Sequence, residues 1–289
     1  MCQLFTAESY RQIKLRDGRV LSYVDCGDPA GKPLLYFQAF RFKLFGELPH
    51  QIAQQLKIRL IAPDRPGFGL SDFKPGRTIK DWANDVVELA DALRLERFAI
   101  LGHSGGGPFA AAAAYKIPER VTRVAMVSSI GFYKLPEAIK KTIGPIPLAY
   151  NINRRLIAWT ANAYLRLSGR FGYRARLLAL AGGPGVAAFS APAELVQFIT
   201  GLGDEVSRPR RYDAAWELIL YSRPWGFQLE DISVKVHLWH GEADAASPPA
   251  IMRYMARAIP NCWARFLPGE DHFSPIRNHM AEILSDLVS

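Results

Sequence analysis

Gly102-His103-Ser104-Gly105-Gly106 sets a serine among glycines, directly after an apolar run and before a helical one. A serine on so sharp a strand-to-helix turn presents its hydroxyl outward, and only small neighbours let strand and helix come together beside it. The helix start beyond it aims N–H groups and a partial positive charge at the same point. The Gly105 N–H is therefore expected to stabilise an oxyanion. Pro108 falls in the first helical turn, where its missing N–H costs little. The stretch lacks the Lys-Ser/Thr of a phosphate-binding loop and the Gly-x-Gly-x-x-Gly spacing of a dinucleotide site.

A serine hydroxyl is a weak nucleophile near neutral pH. It needs a base within hydrogen-bond reach, and the base needs an acid to orient it. Six histidines are available: His50, His103, His237, His240, His272 and His279. Residues at the carboxyl ends of parallel strands can converge on one site. His272, in Gly269-Glu270-Asp271-His272, follows the last expected strand and is the expected base. His237 lies inside a strand, His240 closes it, and His279 lies in the last helix. Asp244, in His240-Gly241-Glu242-Ala243-Asp244, also follows a strand end and is the expected orienting acid. Its plainer role is a turn residue before a helix near Ser247-Pro248. Glu270 and Asp271 are rivals, but adjacency to His272 makes their geometry harder.

The elements that must position these groups are legible as alternating patterns. Residues 10–25 alternate as a hairpin turning at Asp17-Gly18. Apolar runs at 33–37, 58–62, 98–101, 124–127 and 234–239 each end in a turn signal, as strands buried on both faces do. Thr78 to Leu93 has helical spacing, with Thr78 and Asp81 resembling a capping box. Helices are also expected near 250–258 and 274–287, with a strand at 263–267. Strand and helix alternate to residue 131, which argues for a parallel α/β sheet. From 132 to 225 the pattern is helical, Arg-rich and broken by Gly and Pro. The expected organisation is thus a core of 1–131 and 226–289 interrupted by a helical insertion at 132–225.

Composition supports one large domain with an insertion: 289 residues, 49% hydrophobic and 22% charged. No apolar run is long enough for a transmembrane helix, and the N-terminus lacks an apolar signal core, so a cytoplasmic protein is expected. Cys2, Cys26 and Cys262 form neither a disulfide framework nor a metal-ligand spacing. The net charge of +9 is concentrated in 132–225, which holds 13 Lys or Arg against 6 Asp or Glu. No nucleic-acid-binding motif accompanies it, so a solvated helical face is the expected reading.

These residues carry a resemblance to the serine α/β-hydrolases, whose order is Ser…Asp…His. It runs through Ala62-Pro63-Asp64-Arg65-Pro66-Gly67-Phe68-Gly69-Leu70-Ser71-Asp72, through Leu101 to Pro108, through Leu238 to Asp244, and through Pro268 to His272. The resemblance implies an eight-stranded, mostly parallel sheet with helices on both faces, and a helical cap at 132–225 over the active site. It implies hydrolysis of an ester or related acyl bond in a small, partly apolar substrate, with no metal or organic cofactor. Ser104 sets the chain apart from the dehalogenase and epoxide hydrolase branches, which use Asp there. The family's His-Gly-x-Pro-Gly loop after the third strand reads Gln38-Ala39-Phe40-Arg41-Phe42 here. Phe40 N–H is the expected second oxyanion donor. Gln38, Phe42 and His103 are expected substrate contacts.

Overall fold

The computed structural model describes residues 10–38, 48–131, 217, 220, 221 and 223–289. The expected cap at 132–225, apart from a few residues at its end, lies outside them, as do Phe40 and Phe42.

Eight strands form one sheet: β1 (Tyr10–Lys14), β2 (Val20–Gly27), β3 (Lys32–Phe37), β4 (Ile58–Pro63), β5 (Phe98–His103), β6 (Val121–Val127), β7 (Val236–Gly241) and β8 (Cys262–Leu267). Their order is β1-β2-β4-β3-β5-β6-β7-β8. β1 and β2 pair antiparallel, as do β2 and β4. Every other pairing is parallel. The carboxyl ends of β5, β7 and β8 therefore open on the same edge. The first hairpin turns where Asp17-Gly18 predicts, with Gly18 at φ 86°.

Alternate residues of each central strand feed two separate cores, as a period of two requires. Leu35, Phe37, Ile100, Met126 and Leu238 join the core under α2 (Trp82–Ala92), α3 (Gly107–Lys116) and α4 (Pro249–Ala258). Leu34, Tyr36, Leu101, Val127 and Trp239 join the core under α1 (Leu48–Gln55), α5 (Ser274–Asn278) and α6 (Met280–Val288). The sheet is thus covered on both faces, which explains why its central strands read as unbroken apolar runs.

Among the differences from the sequence reading, three alter an element's start or continuity. The helix expected from Thr78 begins at Trp82. Asp81 Oδ2 accepts from Thr78 N–H and Oγ1, and Asp81 N–H donates to Thr78 Oγ1. The reciprocal bonds are present, but they close a turn before the helix rather than its first turn. β7 starts at Val236, with Val234 buried outside the ladder. The last helix is two helices broken at His279 (φ −114°, ψ 13°). Ile276, Met280, Ile283, Leu284 and Leu287 keep helical spacing across the break, so periodicity does not reveal it.

Candidate active site

β5 ends at His103, and the chain reverses into α3 through a 3₁₀ turn at Ser104–Gly106. Ser104 has φ 51°, a conformation uncommon for a residue with a side chain. The glycines around it fill space that a side chain would need. A Cβ on Gly102 would lie 2.7 Å from Ala110 Cβ. On Gly106 it would collide with the backbone oxygen of Phe37, and on Gly107 with Ser129 Oγ. Gly105 lies buried in the turn directly after the serine.

Ser104 Oγ is 2.8 Å from His272 Nε2, and His272 Nδ1 is 2.8 Å from Asp244 Oδ2. An ionised carboxylate only accepts, so Nδ1 carries the imidazole proton and Nε2 is left to accept from the serine hydroxyl. The other oxygen of Asp244 is occupied as well, accepting from the N–H groups of Ala246 (2.9 Å) and Ser247 (2.8 Å). With both oxygens committed and no side-chain exposure, the carboxylate has one orientation.

The turns carrying acid and base touch each other. A Cβ on Gly241 would collide with the carbonyl oxygen of Glu270, and Ala243 N–H donates to that same oxygen at 2.8 Å. Gly241 is the residue whose small size lets the loops after β7 and β8 meet. The rival acids have other partners. Asp271 Oδ1 accepts from Phe273 and Ser274 N–H at 3.0 Å each, holding the turn into α5. Glu270 Oε1 pairs with His279 Nε2 at 2.8 Å.

The other histidines are dispersed. His50 Nδ1 accepts from Gly27 N–H at 3.0 Å, and His237 pairs with Asp286. His240, which closes β7, supports the turn that carries Asp244. Its Nε2 donates to Ser247 O at 2.8 Å and lies 3.6 Å from Asp244 Oδ2, while Ser247 Oγ donates to Ser129 O at 2.6 Å. Burial lowers the pKa of His240 to about 4, against the opposing pull of Asp244. His103, expected among the substrate contacts, has no exposure. Its ring lies 6.0 Å from that of His272 and 6.3 Å from that of Phe273. Burial, with the neighbouring His272 adding to it, lowers its pKa to about 3. Gln38 is buried at the end of β3, where Arg65 Nη1 donates to its carbonyl.

Burial pushes the thiol of Cys26 up to about 12 and that of Cys262 up to about 11. Among the described residues, no group of three or more His, Cys, Asp or Glu is arranged to hold a metal ion. Among them, too, no helix is long and apolar enough to cross a membrane.

Comparison with known proteins places this geometry in a family. Over 99 residues, 33% of this chain, it is 30% identical to a 2-hydroxy-6-oxo-2,4-heptadienoate hydrolase of Pseudomonas putida. The matched stretch spans 36% of that relative's own length. Among solved structures, the chain is similar to an esterase from Rhodococcus sp. (22% identity, TM-score 0.69, covering 97% of this chain and 98% of that one). It is also similar to a thermophilic esterase from Thermogutta terrifontis (24% identity, TM-score 0.67, covering 97% and 99%). At those identities the likeness speaks for the fold. Residues 42–276 match the model of the alpha/beta hydrolase fold family, and the chain belongs to that family.

Proposed function

We propose that the protein is a serine hydrolase acting on an ester or related acyl bond of a small, partly apolar molecule. The observation that carries this reading is the continuous chain from Ser104 Oγ through His272 to Asp244, with both contacts at 2.8 Å. As Ser104 attacks the carbonyl carbon, its proton passes to His272 Nε2, and Asp244 stabilises the imidazolium that forms. The tetrahedral oxyanion is taken up by the Gly105 N–H, with Phe40 N–H as the second donor. His272 then gives its proton to the departing alcohol, which leaves an acyl-enzyme on Ser104. A water molecule loses a proton to His272 and attacks the acyl carbon, and His272 passes that proton to Ser104 Oγ as the acid leaves, which restores the serine.

A fluorophosphonate probe is expected to label Ser104. Ser104→Ala is expected to abolish labelling and lower ester turnover by about 10⁶-fold. An unlabelled serine, or turnover unchanged in the variant, refutes the reading.

A second reading, cleavage of a C–C bond by the same groups, draws on the departure at Gln38-Ala39-Phe40-Arg41-Phe42 and on the likeness to the heptadienoate hydrolase. Restoring His-Gly-x-Pro-Gly across 38–42 separates the two. Under this reading the swap raises esterase activity at the expense of the native reaction.

A further inference from the structure

The loop that carries Asp244 is fastened on two sides. Toward the base, Glu242 N–H donates to Leu267 O at 2.9 Å and Ala243 N–H to Glu270 O at 2.8 Å. Toward the nucleophile the fastening runs through Ser247, which has no exposure and uses every polar group it owns. Its N–H donates to Asp244 Oδ1 at 2.8 Å, its hydroxyl donates to Ser129 O at 2.6 Å, and its carbonyl accepts from His240 Nε2 at 2.8 Å. Two prolines follow it. A residue before proline is biased to extended backbone angles, and each proline ring locks its own φ. Pro248 (φ −53°, ψ 136°) leads directly into α4. The backbone behind the Ser247 hydroxyl is therefore stiff.

The N–H bond to Asp244 is ordinary turn chemistry, since an aspartate often accepts from the backbone two or three residues on. The hydroxyl bond is different. It leaves the turn and reaches a carbonyl 118 positions earlier in the chain. Ser129 belongs to the turn after β6, and that turn lies against the nucleophile. Ile130 N–H donates to Ser104 O at 3.3 Å, and a Cβ on Gly107 would collide with the Ser129 side chain. The contacts close a ring. One arc is the proton path from Ser104 through His272 to Asp244. The other runs from Asp244 through Ser247 and the turn after β6 back to Ser104. His272 gains and loses a proton in each turnover, so it is a poor spacer between serine and acid. The Ser247 hydroxyl offers a spacer that takes no part in the proton transfer.

We propose that Ser247 is a positioning residue for the reaction assigned to Ser104: its buried hydroxyl ties the loop of Asp244 to the turn after β6, and so fixes the acid relative to the nucleophile. This rests on the hydrolase reading. His240 serves the same end by holding the Ser247 carbonyl.

The test is Ser247→Ala in the full chain, which removes the tie and leaves the N–H bond to Asp244. Disabling the acid outright costs about 10⁴-fold in kcat, and a misplacement of about 1 Å can cost about 10²-fold. Turnover of p-nitrophenyl butyrate is therefore expected to fall about 10–100-fold in kcat. KM should stay within about twofold, because the acid acts on the transition state. Fluorophosphonate labelling of Ser104 should slow in parallel. The effect should also vanish where there is no acid to place. In an Asp244→Ala background, Ser247→Ala should change the labelling rate by less than about twofold. A loss of about tenfold or more in that background would put the action of Ser247 elsewhere and overturn the proposal. So would a lower melting temperature with kcat and labelling of the folded protein at wild-type values, the mark of a structural role alone. If Ser247→Ala does not melt cooperatively, Ser247→Cys decides by the same readouts, since a thiol fills the space but is a weaker donor. Wild-type protein that neither labels nor turns over an ester sinks the hydrolase reading, and this inference with it. Wild-type protein that labels beside a Ser247→Ala variant that labels equally well sinks the positioning role alone.

Discussion

Acidification should destabilise this fold through two histidines that sit close to the reacting groups yet stay uncharged. In the native protein His103 accepts a proton only near pH 3 and His240 only near pH 4. In the unfolded chain both do so near pH 6.5. Between those limits the unfolded state binds more protons, so stability rises with pH. Their contribution is complete above about pH 6.5 and is lost as the pH falls from there toward 4 and 3. Both side chains are fully enclosed, so solvent screening does not dilute the effect. At pH 5.0 each histidine accounts for about 2 kcal/mol relative to pH 7.5, about 4 kcal/mol together. That is a large share of the ~5–15 kcal/mol by which domains are stable. Urea unfolding at pH 7.5 and 5.0, at constant ionic strength, measures the loss directly. His103→Gln and His240→Gln should each reduce the difference between the two pH values by about 2 kcal/mol, whatever they do to stability at pH 7.5. Groups that do not couple to these two histidines, which leaves out His272 and Asp244, contribute equally to wild type and variant, so they cancel. Variants that keep the wild-type acid loss to within about 0.5 kcal/mol would show that neither histidine is held neutral by burial.

Two further outcomes follow from the geometry around Ser104. Asp244→Asn should lower kcat by about 10⁴-fold with the fold intact, because an amide can stabilise the wrong tautomer of His272 and cannot stabilise its cation. Steady-state kinetics beside a circular dichroism melt tests both halves of that statement. Gly106→Ala drives a methyl group into the Phe37 carbonyl, which cannot retreat without moving β3. It should cost at least the ~1–3 kcal/mol typical of overpacking and slow Ser104 labelling as well, as seen by denaturant titration and probe kinetics.

The sequence and the structure agree most closely where one physical rule governs. The central strands of the sheet are buried on both faces, so runs such as Phe98 to Leu101 stand out without alternation. The meeting of Ser104, Asp244 and His272 was legible because each follows an expected strand, and a parallel sheet brings strand ends to one edge. What escaped depends on contacts distant in sequence. Glu217 meets Arg65 across 152 positions, and no local pattern marks either as buried. The complete burial of His103, with its ring 6.0 Å from that of His272, likewise comes from contacts distant in sequence. The break at His279 leaves the apolar spacing intact, so only backbone angles disclose it.

Ala110 to Ala114 form a run of five methyl-bearing residues with no exposure, wedged between the sheet and the neighbouring helix. Such a helix leaves no slack behind the nucleophile, since each added carbon must displace backbone rather than water. Random mutagenesis would then find α3 almost silent as a source of new preferences. Under the hydrolase reading, adaptation to another substrate has to be sought outside α3, while Ser104, His272 and Asp244 keep their places.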